Sequence, residues 1–376
     1  MATAQNINIV PAASAKILKR KANEAAGHMA KKAKPSVITA QTIAQLREHG
    51  YAIVPNVLTA AECTAMQDGF WTFWEKRGVT RDESTWTNMY KYFPNHGMLI
   101  QHWKFGHCQA IWDVREKVMP VFAQLWGTDD LTTSFDGGSM GLPPEVTGRG
   151  WHQKDWLHLD QSPTRNGLEA YQSWVTPMDV REGDGTLTLL KGSHKKHAAF
   201  ADHFSLRVLP SDSKKVKYQK TQDWFKLTQS HIDWYDCEQV DITCPAGSMV
   251  LWDSRTVHAG KAPRKGRAVP NLRMVAYVCM QPDNLTPALR KKKQIAVLEG
   301  RMTSHWADKV KLFGTKPQTY GKPLPEPLPY ELPRLSATGA KLAGFPGDCP
   351  LTIQDPTARA AAANTLLHQL KNTTKR

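Results

Sequence analysis

Short runs of β-branched and aromatic residues, separated by turn residues, fill the middle of the chain from 151 to about 282. The runs are AYQSWVTPMDV, GTLTLLKGSH, VDITCPAGSMVLWDS and LRMVAYVCMQ. Short strands at close intervals, with Gly and Pro between them, are typical of a β-sandwich or barrel. The sequence therefore predicts a β-rich core, interrupted by a lysine-rich, helix-like insert at 203–236.

Helices are predicted on the N-terminal side of this core. TAQTIAQLREHG predicts a helix that ends at Gly50, and TAAECTAMQDGFWTFWEKRG a second helix with Thr59 as its N-cap. YAIVPNVL, between them, predicts a strand. Residues 84–150 have poor periodicity, which predicts loops and short helices packed against a sheet.

The two ends of the chain differ from the core in composition. Residues 1–36 are rich in Ala and Lys and poor in aromatic residues, which predicts a disordered basic tail. An ordered domain is predicted over 37–315. In the remainder, 316–376, KPLPEPLPYELP predicts an extended wrap over the surface, and TARAAAANTLLHQLK predicts a final amphipathic helix.

Two histidines and an aspartate are candidate metal ligands. His158 and Asp160 lie two residues apart, so on a strand their side chains point to the same face. His258 follows the predicted strand MVLW and supplies a third ligand. Two imidazoles and one carboxylate leave coordination positions free, which suits non-haem Fe(II) oxygen chemistry. A cupin-like or jelly-roll barrel that holds another divalent metal, or none, is the alternative.

An arginine near this set is a candidate anion anchor. Arg273 lies fifteen positions after His258, at the start of the predicted strand LRMVAYVCM. A buried guanidinium grips a carboxylate with two parallel hydrogen bonds, which is what a dicarboxylic co-substrate chelating iron at its other end requires.

The chain resembles the phytanoyl-CoA dioxygenase-type branch of the Fe(II)/2-oxoglutarate-dependent oxygenases from about 40 to 285. The matching segments, in chain order, are GYAIVPNVLTAAEC (50–63), WLHLDQ (156–161), SWVTPMDVREGDGTLTLLKGSHKKH (173–197), AGSMVLWDSRTVHAG (246–260) and LRMVAYVCMQP (272–282). The resemblance implies an α+β fold with a double-stranded β-helix (jelly-roll, cupin-like) core and flanking helices.

The resemblance also implies roles for individual residues. His158, Asp160 and His258 would hold Fe(II), and Arg273 would bind the far carboxylate of the co-substrate 2-oxoglutarate. Trp174 matches a tryptophan that lines the co-substrate pocket. Arg267 is a rival anchor, but it lies in the loop APRKGRAVPN, whereas Arg273 opens a strand. The implied reaction is hydroxylation of a substrate C–H bond.

Net charge and basic clusters bear on location and partners. The formal charge of +15 favours anionic partners or nuclear residence. Basic clusters within residues 19–34 resemble a bipartite import signal, so a cytoplasmic or nuclear protein is predicted. No run of about 18 apolar residues is present, so no membrane span is expected. Six scattered cysteines indicate a reducing compartment.

The sequence leaves the substrate open among three classes. A small molecule is the first hypothesis, and a nucleic acid or protein in the nucleus, favoured by the charge, is the second. The third is a catalytically silent binding protein, against which the intact triad and arginine argue. The sequence leaves the oligomeric state undefined.

Overall fold

The structure is a computed structural model that describes residues 37–93, 99–100, 102–149, 156–206, 223–267, 269–317, 319 and 321–372. The predicted basic tail with its import signal, and residues 207–222 of the predicted insert, lie outside the described residues.

Two antiparallel sheets make up the core of the described chain, one with seven strands and one with five. The strands are β1 (Tyr51–Val54), β2 (Leu99–Ile100), β3 (Leu131–Thr133), β4 (Gly138–Gly141), β5 (His158–Leu159), β6 (Tyr171–Val175), β7 (Thr186–Leu190), β8 (Phe225–Lys226), β9 (Gln239–Asp241), β10 (Met249–Asp253), β11 (His258–Lys261) and β12 (Arg273–Pro282). All four β-rich runs contain strands, as predicted.

Neighbouring strands in each sheet are mostly distant in sequence. The larger sheet has the order β1-β10-β6-β12-β4-β2, with β3 also paired to β12, and the smaller sheet has the order β8-β5-β11-β7-β9. From β9 onward the chain alternates between the sheets, with β10 and β12 in the larger one and β11 in the smaller one. Such crossovers are typical of a two-sheet sandwich.

Helices flank the sheets, which gives the α+β class that was predicted. They are α1 (Ala40–His49), α2 (Ala60–Glu75), α3 (Met89–Tyr92), α4 (Gln109–Trp126), α5 (Pro144–Thr147), α6 (Ser193–His203), α7 (Gln229–Tyr235), α8 (Pro287–Glu299), α9 (Ala337–Leu342) and α10 (Pro356–Asn372).

Local capping residues end α1 and begin α2 at the positions that were predicted from the sequence. Gly50 has φ 80° and ends α1, donating its N–H to the carbonyl of Leu46. Thr59 caps α2 in a capping box with Glu62, in which each side chain accepts the other residue's backbone N–H. Both helix ends follow from residues close in sequence.

The prediction of loops and short helices over 84–150 is wrong for α4, an 18-residue helix. Its buried side chains include Ile111, Val114, Val118 and Val121, a repeat of three and four residues. Pro120 lies inside this helix and interrupts the sequence pattern. Packing of this apolar face against β12 and α2 offsets the hydrogen bond that proline cannot donate.

The space between the sheets and the C-terminal part of the chain have separate cores. One apolar cluster contains Trp174, Leu187, Val250, Trp252 and Val275 from both sheets. A second joins side chains of α8, α9 and α10 to Trp112 and Phe135. Residues 322–333 form neither helix nor strand. The domain boundaries at 36/37 and 315/316 stay predictions.

Within the described ranges, no helix is both long and apolar enough to cross a membrane.

Candidate metal centre and cavity

The three candidate ligands converge at one edge of the smaller sheet. In the register of β5 with β11, His158 lies directly opposite His258. Strand β5 ends at Leu159, so Asp160 lies just beyond it, in a bend, rather than within a strand as predicted. One ligand atom from each of the three side chains lies within 4.8 Å of the other two. This is a spacing at which they can hold one metal ion.

The carboxylate of Asp160 lies between the two imidazoles. Its Oδ1 is 3.6 Å from His158 Nε2, and its Oδ2 is 3.3 Å from His258 Nε2. The two imidazole centroids are 4.5 Å apart. Both histidines are buried. The donor atoms of the triad are therefore Nε2, a carboxylate oxygen and Nε2.

Backbone carbonyls hold both imidazoles in the orientation that metal binding requires. His158 Nδ1 is 2.9 Å from the carbonyl oxygen of Trp156, and His258 Nδ1 is 2.9 Å from that of Thr256. A carbonyl oxygen only accepts, so each Nδ1 carries the proton and each Nε2 keeps its lone pair for a metal. Burial and the neighbouring His258 lower the pKa of His158 to about 4, so His158 is neutral at pH 7.

Contacts around the triad fix the ligands further. Gln172 Nε2 donates to Asp160 Oδ2 at 2.7 Å. The indole of Trp156 stacks on the His158 ring at 4.6 Å and donates to the carbonyl of Gly260 on β11 at 2.9 Å. Burial opposes ionisation of Asp160, but the nearby imidazoles, with His305 the strongest, hold its pKa well below the usual range. The lowered pKa favours the ionised carboxylate, which is the form that can bind a cation.

Arg273 opens β12 and lines the same cavity as the triad. Its register partner is Gly141 on β4, and it is only 7% exposed. Among the described residues, its guanidinium has neither a carboxylate nor a hydrogen-bond partner. A buried guanidinium without an ion-pair partner would be stabilised by an anionic ligand.

Arg267, the rival anchor, is already paired. Its Nε is 2.8 Å from a carboxylate oxygen of Glu145, and its Nη1 is 2.8 Å from one of Asp184. It is absent from the described lining of the cavity. Two carboxylates neutralise this guanidinium, which favours Arg273 over Arg267 for a co-substrate.

The cavity has a volume of about 410 Å³ and largely aromatic walls. Trp174 on β6 forms part of the wall between the sheets, and its Nε1 has no hydrogen-bond partner in the described structure. The aromatic lining residues are Trp156, Trp174, Trp224, Trp252, Tyr277, Trp306 and Phe313. Trp224 lies within the predicted insert 203–236, so part of that insert reaches the cavity.

Several lining residues were not found from the sequence. His305 Nδ1 lies 3.9 Å from Asp160 Oδ2, although the two residues are 145 positions apart. Asp136, just before β4, and Ser139, within β4, also line the cavity. No local motif marks these positions, because each lies alone in sequence and reaches the cavity only through the tertiary fold.

Residues 46–267 match the family described as phytanoyl-CoA dioxygenase. The chain belongs to the phytanoyl-CoA dioxygenase family. It is also 32% identical, over 220 residues, to "Ava biosynthesis cluster protein O" of Aspergillus versicolor, covering 57% of this chain and 68% of that protein. The resemblance noted in the sequence is confirmed.

Solved structures match this chain at low identity. GlcNAc Inducible Gene 2 (DUF1479) of Candida albicans has a TM-score of 0.55 and 12% identity, over 90% of this chain and 83% of that one. HygX of Streptomyces hygroscopicus, solved with nickel and 2-oxoglutarate, has a TM-score of 0.39 and 13% identity, over 66% and 89%. The first of these supports the overall fold.

Family membership and the triad together identify a 2-oxoglutarate-dependent dioxygenase of the phytanoyl-CoA dioxygenase family. The residues fit Fe(II) and 2-oxoglutarate. Two imidazoles and a carboxylate are the donor set of non-haem Fe(II) oxygenases, and the unpaired guanidinium of Arg273 suits a second carboxylate nearby.

Proposed function

We propose that this enzyme hydroxylates a C–H bond of a small molecule, with 2-oxoglutarate and dioxygen as co-substrates. One observation carries the proposal: the triad and the unpaired guanidinium of Arg273 face the same aromatic cavity. His158, Asp160 and His258 would bind Fe(II). Arg273 would bind the far carboxylate of 2-oxoglutarate through two parallel hydrogen bonds, beside Trp174.

Bound Fe(II) would couple oxidative decarboxylation of 2-oxoglutarate, to succinate and CO2, with oxidation of the substrate. The protein's own contribution is positional. The carbonyls of Trp156 and Thr256 hold the imidazoles, and Gln172 holds the carboxylate of Asp160. The aromatic walls keep bulk water away from the reacting groups.

A small-molecule substrate agrees with the size and lining of the cavity. A volume of about 410 Å³ lies within the range of small-molecule sites. The relative from Aspergillus versicolor is named as a biosynthesis cluster protein, which supports a biosynthetic substrate. In the part of the chain that the structure describes, no observation favours a nucleic acid or protein substrate over this one.

We also propose that the two antiparallel sheets form a double-stranded β-helix. The alternation of β10, β11 and β12 between the sheets, and the ligands on β5 and β11 of the smaller sheet, support this arrangement.

Succinate release from 2-oxoglutarate by the Fe(II)-loaded protein, with ascorbate and a metabolite extract, tests the reaction. Untargeted mass spectrometry of the same mixture is expected to show a product one oxygen heavier than its substrate. A product lighter than its substrate by two hydrogens would show that the reaction is desaturation rather than hydroxylation. Absence of succinate would overturn the proposed function.

The matched variants for this assay are Asp160→Asn and Asp241→Asn. Asp160→Asn removes the proposed carboxylate ligand and is expected to abolish succinate release. Asp241 lies on β9 of the same sheet and forms an exposed ion pair with Lys261, so Asp241→Asn is expected to retain activity.

A further inference from the structure

Two adjoining cavities are separate from the metal centre and lie between the end of α2, the segment 102–110 and the proline-rich segment. Their volumes are about 580 and 210 Å³. Both are lined by Arg77, Trp103, Lys104 and Leu328, and neither shares a described lining residue with the cavity of the triad. The two cavities together, here called the Arg77–Lys104 cleft, are therefore a second candidate binding site.

The cleft carries an excess of positive charge. The two carboxylates that line it already have lysine partners, since Glu331 lies 2.5 Å from Lys76 Nζ and Glu299 lies 2.6 Å from Lys371 Nζ. The cationic side chains that line it are Lys76, Arg77, Lys104, Arg301, Lys316 and Arg359. An anionic ligand would offset this excess of charge.

Arg77 and Lys104 have no ion-pair partner in the described structure. Nη1 of Arg77 donates to the carbonyl of Phe73 at 2.7 Å, but Nε and Nη2 of Arg77 and Nζ of Lys104 have no hydrogen-bond partner there. None of these three atoms is sealed from solvent. A ligand that enters the cleft can therefore bind one whole edge of the guanidinium, Nε and Nη2, together with the ammonium group.

Packing holds both cations in place without an anion. The guanidinium of Arg77 lies 3.6 Å from the centroid of the Phe73 ring, and the ammonium of Lys104 lies 5.1 Å from that of Tyr330. The Lys104 stem packs so closely on Gly300 that a Cβ there would lie 2.9 Å from Lys104 Cδ. Lys104 also has φ 62°, a conformation that residues other than glycine rarely adopt. Cations already fixed in this way lose little side-chain entropy when they bind an anion.

The rest of the larger cavity has a mostly apolar wall. The apolar side chains include Phe73, Leu328, Pro329, Leu332, Pro333 and Ala360. A volume of about 580 Å³ lies within the range of small-molecule sites. The larger cavity therefore suits a small ligand with an apolar body and an anionic group.

We propose that the Arg77–Lys104 cleft binds a small phosphate monoester, with the phosphate on Arg77 and Lys104 and the apolar body against Leu328 and Leu332. A phosphate monoester carries about −1.5 to −2 charges at pH 7, which two cations can match, whereas a carboxylate carries only one. The guanidinium edge can bind two phosphate oxygens in parallel and the ammonium a third. This site does not depend on the proposed function, so either can fail without the other.

Isothermal titration calorimetry of the full chain with phenyl phosphate, inorganic phosphate and phenol tests the ligand class. Phenyl phosphate is expected to bind about 10-fold more tightly than either of the others, because only it has both the charge and the apolar body. Phenol that binds as tightly, or no binding of phenyl phosphate, would overturn the phosphate site. Inorganic phosphate that binds as tightly would refute the role of the apolar wall.

Substitutions of the two cations test where phenyl phosphate binds. Lys104→Met and Arg77→Met are each expected to weaken its binding about 10-fold, and Lys104→Arg should keep most of the affinity, because charge-assisted hydrogen bonds are lost only in the first two. The matched control is Lys91→Met, which removes an exposed lysine on α3 that donates to Asn88 at 2.8 Å. An equal loss of affinity in Lys91→Met would show attraction by the overall charge and would contradict a defined site.

Arg273→Met separates the cleft from the metal cavity and should bind phenyl phosphate as the wild type does. A loss of affinity in Arg273→Met, with none in Lys104→Met, would place the phosphate in the metal cavity and refute the proposal. Thermal unfolding checks that each variant is folded. If Arg77→Met does not fold, the comparison of Lys104→Met with Lys104→Arg decides the outcome.

Discussion

The metal side of the cavity and the loop formed by residues 302–313 both line the cavity but are built differently. On the metal side, His158 and His258 are register partners on paired strands, and a backbone carbonyl holds each imidazole. On the loop side, Ser304 and His305 keep buried polar atoms without partners in the described structure. Hydrogen-bonded imidazoles are preorganised for a ligand, whereas a buried polar atom without a partner costs stability. The two regions therefore differ in how far the described residues satisfy their buried polar atoms.

Removal of a ligand on the metal side should have the largest effect. His258→Ala is expected to lose metal binding and more than about 100-fold in succinate release, since loss of even an outer partner of a ligand costs about 10–100-fold. Metal analysis after dialysis against Fe(II) or Zn(II) measures the first effect. His194→Ala, which removes another buried imidazole bonded to the carbonyl of Arg47, should keep the metal. Equal metal loss in both variants would refute the assignment.

The two arginines give the next largest difference. Arg273→Met is expected to raise the dissociation constant of 2-oxoglutarate about 10–100-fold, because a charge-assisted pair contributes about 1.5–3 kcal/mol. Arg267→Met leaves Glu145 and Asp184 without their cation and should lower stability instead, with 2-oxoglutarate affinity within about 3-fold of wild type. Calorimetric titration of the Zn(II)-loaded proteins measures both constants. The reverse ranking would make Arg267 the anchor.

Substitution of Gln172 tests whether the hydrogen-bond partners of the metal ligands affect metal affinity. Gln172→Leu removes the hydrogen bond to Asp160 Oδ2 while keeping a similar volume, so metal affinity should fall about 10-fold. Competition for Zn(II) with a chelating dye measures the change. Gln239→Leu, which removes a bond to Thr188 on β7, is the control and should leave metal affinity unchanged. Unchanged affinity in Gln172→Leu would show that this bond does not support the ligand.

A separate effect, on stability rather than on ligand binding, is expected next to residues 302–313, in the pH dependence of unfolding. Lys293 is buried on α8, where it contacts the carbonyls of Thr133 and Ala307, and burial lowers its pKa to about 7. Between about pH 7 and its ordinary value near 10.5, the unfolded chain keeps a proton that the folded chain has lost. Lys293 therefore adds a rise in stability with pH across that window, of up to about 1.4 kcal/mol per pH unit.

Urea unfolding from pH 7 to 10 measures this slope. The stability of wild type relative to Lys293→Met should increase with pH. A difference that stays constant or falls would show that Lys293 keeps its proton in the folded protein.

Local signals in the sequence predicted most of what short-range interactions decide. Gly50 and Thr59 end and begin helices through contacts within four residues. His158 and Asp160 lie close together because of local structure alone, namely one short strand and the bend after it. The structure shows His258 opposite His158, whereas only its role as third ligand was predicted, from its place after a strand and from the resemblance to a known family. These parts of the fold and site were accessible before the structure.

The rest depends on tertiary packing that no local pattern encodes. Helix α4 was not predicted because Pro120 interrupts its apolar repeat. Its conformation depends on burial against the sheet. His305 and Trp306 reach the cavity only because the chain returns to it after α8. Arg267 is paired with Glu145 and Asp184, whereas Arg273 has no such partner in the described structure, and the sequence does not show this difference.

A crystal structure of the full chain with Mn(II) and 2-oxoglutarate, grown without oxygen, would test the proposed metal centre. One metal ion is expected, bound by His158 Nε2, the carboxylate of Asp160 and His258 Nε2. The far carboxylate of 2-oxoglutarate is expected to pair with the guanidinium of Arg273. Metal density away from these three ligand side chains, or a co-substrate carboxylate on any other cation, would contradict these expectations.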